Sequence, residues 1–173
     1  MSTKEKLQKG NEKYLKTLQN DENLRFLRDN LAKGQHPEVL VITCSDSRVI
    51  PEKIFSANLG ELFVIRTAGN VINEGELATV EYAIDHLHVS HIVVLGHTHC
   101  GAVHAAIHKE SGRYLNPIIK RIQKNILDVQ DEVKASCLNA QKEVLFIKEK
   151  FPEYQGIIEA KLFDIETSKV MDI

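Results

Sequence analysis

Tryptophan is absent from this chain of 173 residues, and its four prolines mark no linker. No stretch rich in Gly, Ser or Pro and no internal repeat divides the chain, so one domain with a sizeable core is expected. No apolar run approaches the roughly 20 residues needed to span a bilayer, which excludes a membrane helix. The opening MSTKEKLQKGNEKYLKTLQN mixes both charge signs and lacks an apolar signal-peptide core, so a cytoplasmic protein is expected. A strong charge excess is lacking too: the formal net charge of −2 gives no electrostatic reason to bind nucleic acid or an anionic membrane. The three cysteines are an odd number, which argues against a disulfide framework and suits a reducing compartment. With 43% hydrophobic and 27% charged residues, the remaining class is an ordinary globular domain.

The chain alternates helical and extended patterns. Leu7, Tyr14, Leu15, Leu18, Leu24, Phe26, Leu27 and Leu31 form a broken apolar stripe to about Ala32, with Asn20-Asp21 as the break and cap between two helices. Strands are predicted at Val39–Thr43, Leu62–Arg66, His91–Leu95 and Gly156–Ile165. Helix is predicted over residues 75–88, where Leu77, Val80, Ile84 and Leu87 share one face, from Gly101 onward, and through much of 117–150. HIVVL is nearly continuous in apolar residues, as a central parallel strand covered on both faces should be. This order predicts an α/β fold with a short, mainly parallel sheet flanked by amphipathic helices. Three regions follow: an N-terminal helical arm (1–33), a core (38–110), and C-terminal helices with the last strand (111–173).

Two fragments, VITCSDSRV and VVLGHTHCGAV, carry the chemistry. Each places metal-compatible side chains directly after an apolar strand, where ligands gather in α/β sheets. HTHC alone is weak evidence, since a buried Cys beside a surface His is the commoner meaning. CSDSR is stronger, because in an extended or loosely turned segment Cys44, Asp46 and Arg48 share a face. Its bland alternative is a solvated Asp–Arg pair. Together the fragments offer Cys44, His97 and Cys100, with Asp46 either filling the fourth position or standing beside it. Thiolate and imidazole are ligands that Zn²⁺ selects, and three protein ligands plus one exchangeable position is a catalytic arrangement. Gly96 and Gly101 bracket the HTHC pair and permit a tight strand-to-helix turn.

CSDSR followed by GHTHCG resembles the β-class carbonic anhydrases. The resemblance extends through GELFVIRTAGN and VEYAIDHLHVSHIVVLGH and returns at FDIETSKV, and the separation of Cys44 from His97 is similar to the family's. It implies one Zn²⁺ per chain on Cys44, His97 and Cys100, with water or, in a closed state, Asp46 as fourth ligand. It also implies a lyase: reversible, zinc-dependent hydration of CO2 to bicarbonate and a proton through zinc-bound hydroxide. Asp46 and Arg48 would be the catalytic pair, with Arg48 holding the carboxylate. Gln35, Tyr82 and Gly101 correspond to substrate-contacting positions of the family. The implied assembly is a homodimer or a higher even oligomer such as a tetramer. In it the N-terminal helices wrap the partner, and Gln35 and Tyr82 serve the neighbouring site.

Gln35 and the missing tryptophan (Val41 stands where the bicarbonate-regulated subgroup carries it) favour the plant-like subgroup. Thr43 replaces a smaller family residue, and Ser168 a frequent glycine of the last turn. Phe63 and Val71 are either pocket walls or strand core. The remaining histidines His86, His88, His91, His104 and His108 read as solvent-facing residues in or beside helices, His99 as pointing away from the metal, and Cys137 as a silent free thiol. Two alternatives stay open: a same-fold enzyme acting on CS2 or a similar molecule, and a non-catalytic zinc or redox-sensing module, which would need neither Asp46 nor Arg48.

Overall fold

The computed structural model describes residues 1–173, which form two compact units, Met1–Gln35 and His36–Ile173. The first unit is helical. Helix α1 (Thr3–Asn20) opens on a capping box in which Ser2 Oγ accepts the Glu5 N–H and Glu5 accepts the Ser2 N–H. Asp21 then caps α2 (Glu22–Leu31) by accepting the Leu24 N–H at 2.9 Å. The Asn20-Asp21 break therefore lies where the sequence indicates it. Leu7, Tyr14, Leu15 and Phe26 stand exposed on these helices.

The second unit is built on a five-stranded sheet. Its strands are β1 (Val39–Cys44), β2 (Leu62–Thr67), β3 (His91–His97), β4 (Ile157–Phe163) and β5 (Val170–Asp172). Their order is β2-β1-β3-β4-β5, with the first four parallel and β5 antiparallel to β4. Parallel neighbours require crossovers, and helices supply them. These are α3 (Pro51–Ile54), α4 (Glu74–Asp85), α5 (Gly101–Ile107), α6 (Asn116–Ile126) and α7 (Glu132–Lys150). The fold class read from the sequence is the one observed.

Alternation along β1 and β3 sends Leu40, Ile42, Ile92 and Val94 to one face, where they pack with Val80, Ala83, Val144 and Ile147 of α4 and α7. Val41, Val93 and Leu95 go to the other face, against Val49, Ile54 and Phe55. Thr43, fully buried on β1, donates its hydroxyl to the Leu95 carbonyl at 2.8 Å, so the departure from a small residue is satisfied locally.

Several boundaries differ from expectation. The β3 strand continues through His97, and α4 stops at Asp85, three residues short of the predicted end at His88, which has a left-handed φ of 55°. Helix fills much of 117–150 as expected, in two pieces separated where Leu127 takes φ 53° and Asp131 caps α7 by accepting the Lys134 N–H. The three-residue β5 and the single turn of α3 carried no readable periodicity. His91 is not beside a helix but opens β3, where its Nε2 meets Glu159 at 2.8 Å.

Gly96 allows α7 to approach the sheet closely: a Cβ there would stand 3.2 Å from the Ser136 carbonyl oxygen and 3.4 Å from Ala140 Cβ. Gly96→Val should destabilise the fold by about 1–3 kcal/mol through overpacking. The readout is a lower urea midpoint at unchanged slope; an unchanged midpoint would show that α7 yields freely.

Candidate metal centre

The strand order places the metal-compatible residues together. The chain steps from β1 outward to β2 and then returns to β3 on the other side of β1, so the carboxyl ends of β1 and β3 lie side by side at the reversal point. Cys44 is the last residue of β1 and His97 the last of β3. Thr98 and His99 then turn the chain, His99 with a left-handed φ of 56°, and Cys100 becomes the residue before α5. The convergence of His97 and Cys100 thus comes from a strand-end turn, the tight strand-to-helix connection that Gly96 and Gly101 bracket.

The ligand atoms of Cys44, His97 and Cys100 lie within 4.8 Å of one another, and all three residues are buried. The two Sγ atoms are 4.0 Å apart and unbridged. His97 donates Nδ1–H to the Thr98 carbonyl at 2.8 Å, which leaves Nε2 as a lone-pair acceptor. That Nε2 is buried without a hydrogen-bond partner. An orphaned imidazole nitrogen in a dry site is costly unless something electrophilic meets it. Two thiols and an oriented imidazole are the donor set for Zn²⁺, so the residues present fit this metal.

The thiols titrate as a pair. The hydrogen bond from Cys100, and after it the one from the Gly69 N–H, push the Cys44 thiol down against the opposing effect of burial. The same bond to Cys44 and burial push Cys100 up. The pair therefore gives up one proton readily and holds the second, which a bound cation would displace.

Asp46 and Arg48 sit beside the cluster. Arg48 Nε donates to Asp46 Oδ1 at 2.9 Å and Nη2 to Oδ2 at 2.8 Å, a bidentate pair. The Arg48 backbone N–H also reaches Oδ1 at 2.9 Å, so a turn folded on the Asp46 side chain joins the two residues, the turned one of the two expected conformations. The Arg48 guanidinium holds the Asp46 carboxyl well below the usual carboxylate range. Arg48 Nη2 further donates to the His99 carbonyl at 3.1 Å, tying the two motifs together.

What braces this loop was not readable from residue spacing. Arg66 donates to the Asp46 carbonyl at 2.7 Å and to the Cys44 carbonyl at 3.3 Å, fixing the backbone on which both side chains stand. The C-terminal FDIETSKV segment serves the other motif. Thr98 N–H donates to the Phe163 carbonyl, the Ile165 N–H donates to Thr98 Oγ1, and Thr98 Oγ1 donates to Asp164. His99 points outward to Glu166 at 3.0 Å.

Gly101 begins α5 with open space where a Cβ would project. Val71 is buried in the apolar cluster that contains Cys44 and Cys100, whereas Phe63 packs with the α4 side of the core. Tyr82, 45% exposed on α4, contacts Phe63 and stacks on His86. Gln35 is exposed at the end of the helical unit. Within one chain the structure brings together Cys44, Asp46, Arg48, His97, Cys100 and Gly101, and leaves Tyr82 and Gln35 on the surface.

A family model described as carbonic anhydrase matches residues 39–167. The carbonic anhydrase of Synechococcus elongatus is 56% identical over 85 residues, covering 46% of this chain and 31% of that protein. The chain spans between 31% and 51% of the length of the first curated relatives it matches. The β-carbonic anhydrase CafA of Aspergillus fumigatus superposes with a TM-score of 0.83 at 28% identity, covering 98% of this chain and 89% of that one. A tetrameric β-carbonic anhydrase of Sordaria macrospora gives 0.74 at 27% identity, covering 96% and 94%. With the matched span enclosing both strand-end motifs and the fold shared along nearly the whole chain, this chain belongs to the β class of the carbonic anhydrase family.

Proposed function

We propose that this protein catalyses the reversible hydration of CO2 to bicarbonate and a proton, as a zinc lyase. The observation that carries this reading is the ionised, doubly held Asp46 carboxylate beside the Cys44–His97–Cys100 cluster, since a closed structural zinc site needs no such group. Cys44, His97 and Cys100 would hold the metal. Bound there, zinc supplies Lewis-acid activation of water, making a nucleophile available near neutral pH.

The remaining roles belong to the chain. Asp46, an acceptor only when ionised, takes a hydrogen bond from the attacking water's O–H and so turns its lone pair toward the carbon of CO2. Arg48 keeps that carboxylate ionised and aimed, and prevents it from swinging into the fourth ligand position. The Gly101 N–H, at the start of α5 with open space in front of it, and the Gln35 amide donate to substrate oxygens as bicarbonate forms. Tyr82 provides an aromatic wall. The proton then passes to solvent.

Gln35 and Tyr82 act across a subunit boundary in this reading. The exposed Leu7, Tyr14, Leu15 and Phe26 give the helical unit an apolar surface suited to a second copy, so a homodimer is the smallest active unit and a tetramer the larger option. Gln35 and the absence of tryptophan favour the plant-like subgroup in this reading. No helix is long and apolar enough to cross a membrane, in keeping with a cytoplasmic enzyme.

Purified protein should carry about one zinc per chain, and Cys100→Ser should lose most of the metal together with CO2 hydration. Full metal content and activity in that variant would remove Cys100 from the site. Asp46→Asn should retain zinc while turnover in a stopped-flow hydration assay falls about 10–100-fold; unchanged turnover would reduce Asp46 to a structural role. Complementation checks the shared site: Gln35→Ala chains co-expressed with Cys100→Ser chains should regain activity above either homo-oligomer, whereas no gain would confine Gln35 to its own subunit.

A further inference from the structure

A chain of buried polar side chains runs through α6 and α7 to the 3₁₀ turn Ala68–Asn70. Glu143, fully buried, accepts Arg121 Nε and Nη2 at 2.8 Å each, with Arg121 itself laid over the Phe146 ring at 4.0 Å. Glu143 Oε1 also accepts from Asn125 Nδ2 at 2.8 Å. Because a carboxylate paired with arginine can only accept, Asn125 must present its NH2 group here, and its second N–H goes to Asn139 Oδ1 at 2.9 Å. Asn139, also fully buried, is thereby forced to aim its Nδ2 at the Gly69 carbonyl, 2.8 Å away. The next link is the Gly69 N–H, which donates to Cys44 Sγ at 3.3 Å.

Stability alone is a poor explanation for this arrangement. A buried ion pair is often no better than well-packed apolar residues in the same space, and a half-satisfied polar network is worse. The network ends, moreover, on a turn that only glycine can make. Gly69 has φ 67°, and a Cβ there would lie 2.8 Å from Ile122 Cδ1 and 3.1 Å from Ala102 Cβ. Its N–H and C=O belong to successive peptide planes, so Asn139 cannot polarise the donor. It can only fix where the donor points.

We infer that the Arg121–Glu143–Asn125–Asn139 chain is a positioning device for Cys44, with Asn139 holding the Gly69 N–H against the sulfur that donates to the metal. A hydrogen bond to a thiolate withdraws charge from it and lowers its donor strength, so the device sets how much charge Cys44 delivers to the ion. The inference rests on the reading of Cys44 as a metal ligand.

The test uses the full-length protein loaded with cobalt(II), whose thiolate-to-metal charge-transfer bands report sulfur donor strength, together with zinc affinity. Asn139→Leu removes the donor while keeping the branched side-chain skeleton. Val144→Ala, on the same helix but packed into the sheet core, is a control for destabilisation. In Asn139→Leu the charge-transfer band should move to longer wavelength and zinc affinity should change by about 10-fold. Val144→Ala should lower the melting temperature and leave both readouts in place. A folded Asn139→Leu protein with an unmoved band and unchanged zinc affinity overturns the inference. Should Asn139→Leu not fold, the wild type decides: loaded with NMR-active cadmium, its Gly69 amide proton should show scalar coupling to the metal through the sulfur. Absence of that coupling overturns the positioning role while leaving the metal site standing. A wild-type protein that takes up none of the three metals would instead overturn the metal reading itself.

Discussion

The parallel pairing of β1 with β3 is the constraint on which the site depends. In that register Thr43 lies opposite Leu95, so the two strands end with Cys44 on one and His97 on the next, and a short turn after His97 delivers Cys100. Buried strand ends fix two of the three donors, and a backbone hydrogen bond from Thr98 to β4 fixes the turn carrying the third. Nothing in the apolar interior can satisfy His97 Nε2. The fold thus holds a preformed set of donors whose electrostatic needs are met only by a cation, while two arginines hold the adjoining loop. Arg48 orients the Asp46 side chain and Arg66 the backbone beneath it.

Much of this was legible in the sequence because strands and metal donors announce themselves by residue type. Apolar runs at Val39 and His91 located the central strands, and Cys and His immediately after them located the donors. How the donors converge was less visible. Spacing left CSDSR extended or loosely turned and allowed a tight strand-to-helix turn at HTHC; the chain forms a turn on the Asp46 side chain and a left-handed turn at His99. An extended or a turned CSDSR brings the same residues together, so the chemical reading did not depend on that choice. Gln35 and Tyr82 rest on family likeness, since an exposed glutamine and a helical tyrosine carry no such signal by themselves.

The residues that escaped the sequence share a property. Asn125, Asn139 and Glu143 lie on helices with several charged residues, where a polar residue ordinarily faces water, yet Asn139 and Glu143 are fully buried. Burial of such residues is a tertiary fact: it depends on α6 and α7 packing over the Gly69 turn, which no periodicity encodes. The break between those helices at Leu127 was likewise hidden within one amphipathic pattern, and β5, three residues long, was too short to alternate visibly.

The central claim is that Cys44, His97 and Cys100 together bind zinc, and X-ray absorption at the zinc edge of the purified protein tests it most directly. Two sulfur scatterers and one imidazole nitrogen, completed by a light oxygen-type ligand, are expected. A shell without sulfur, or one of four sulfurs, would contradict the site.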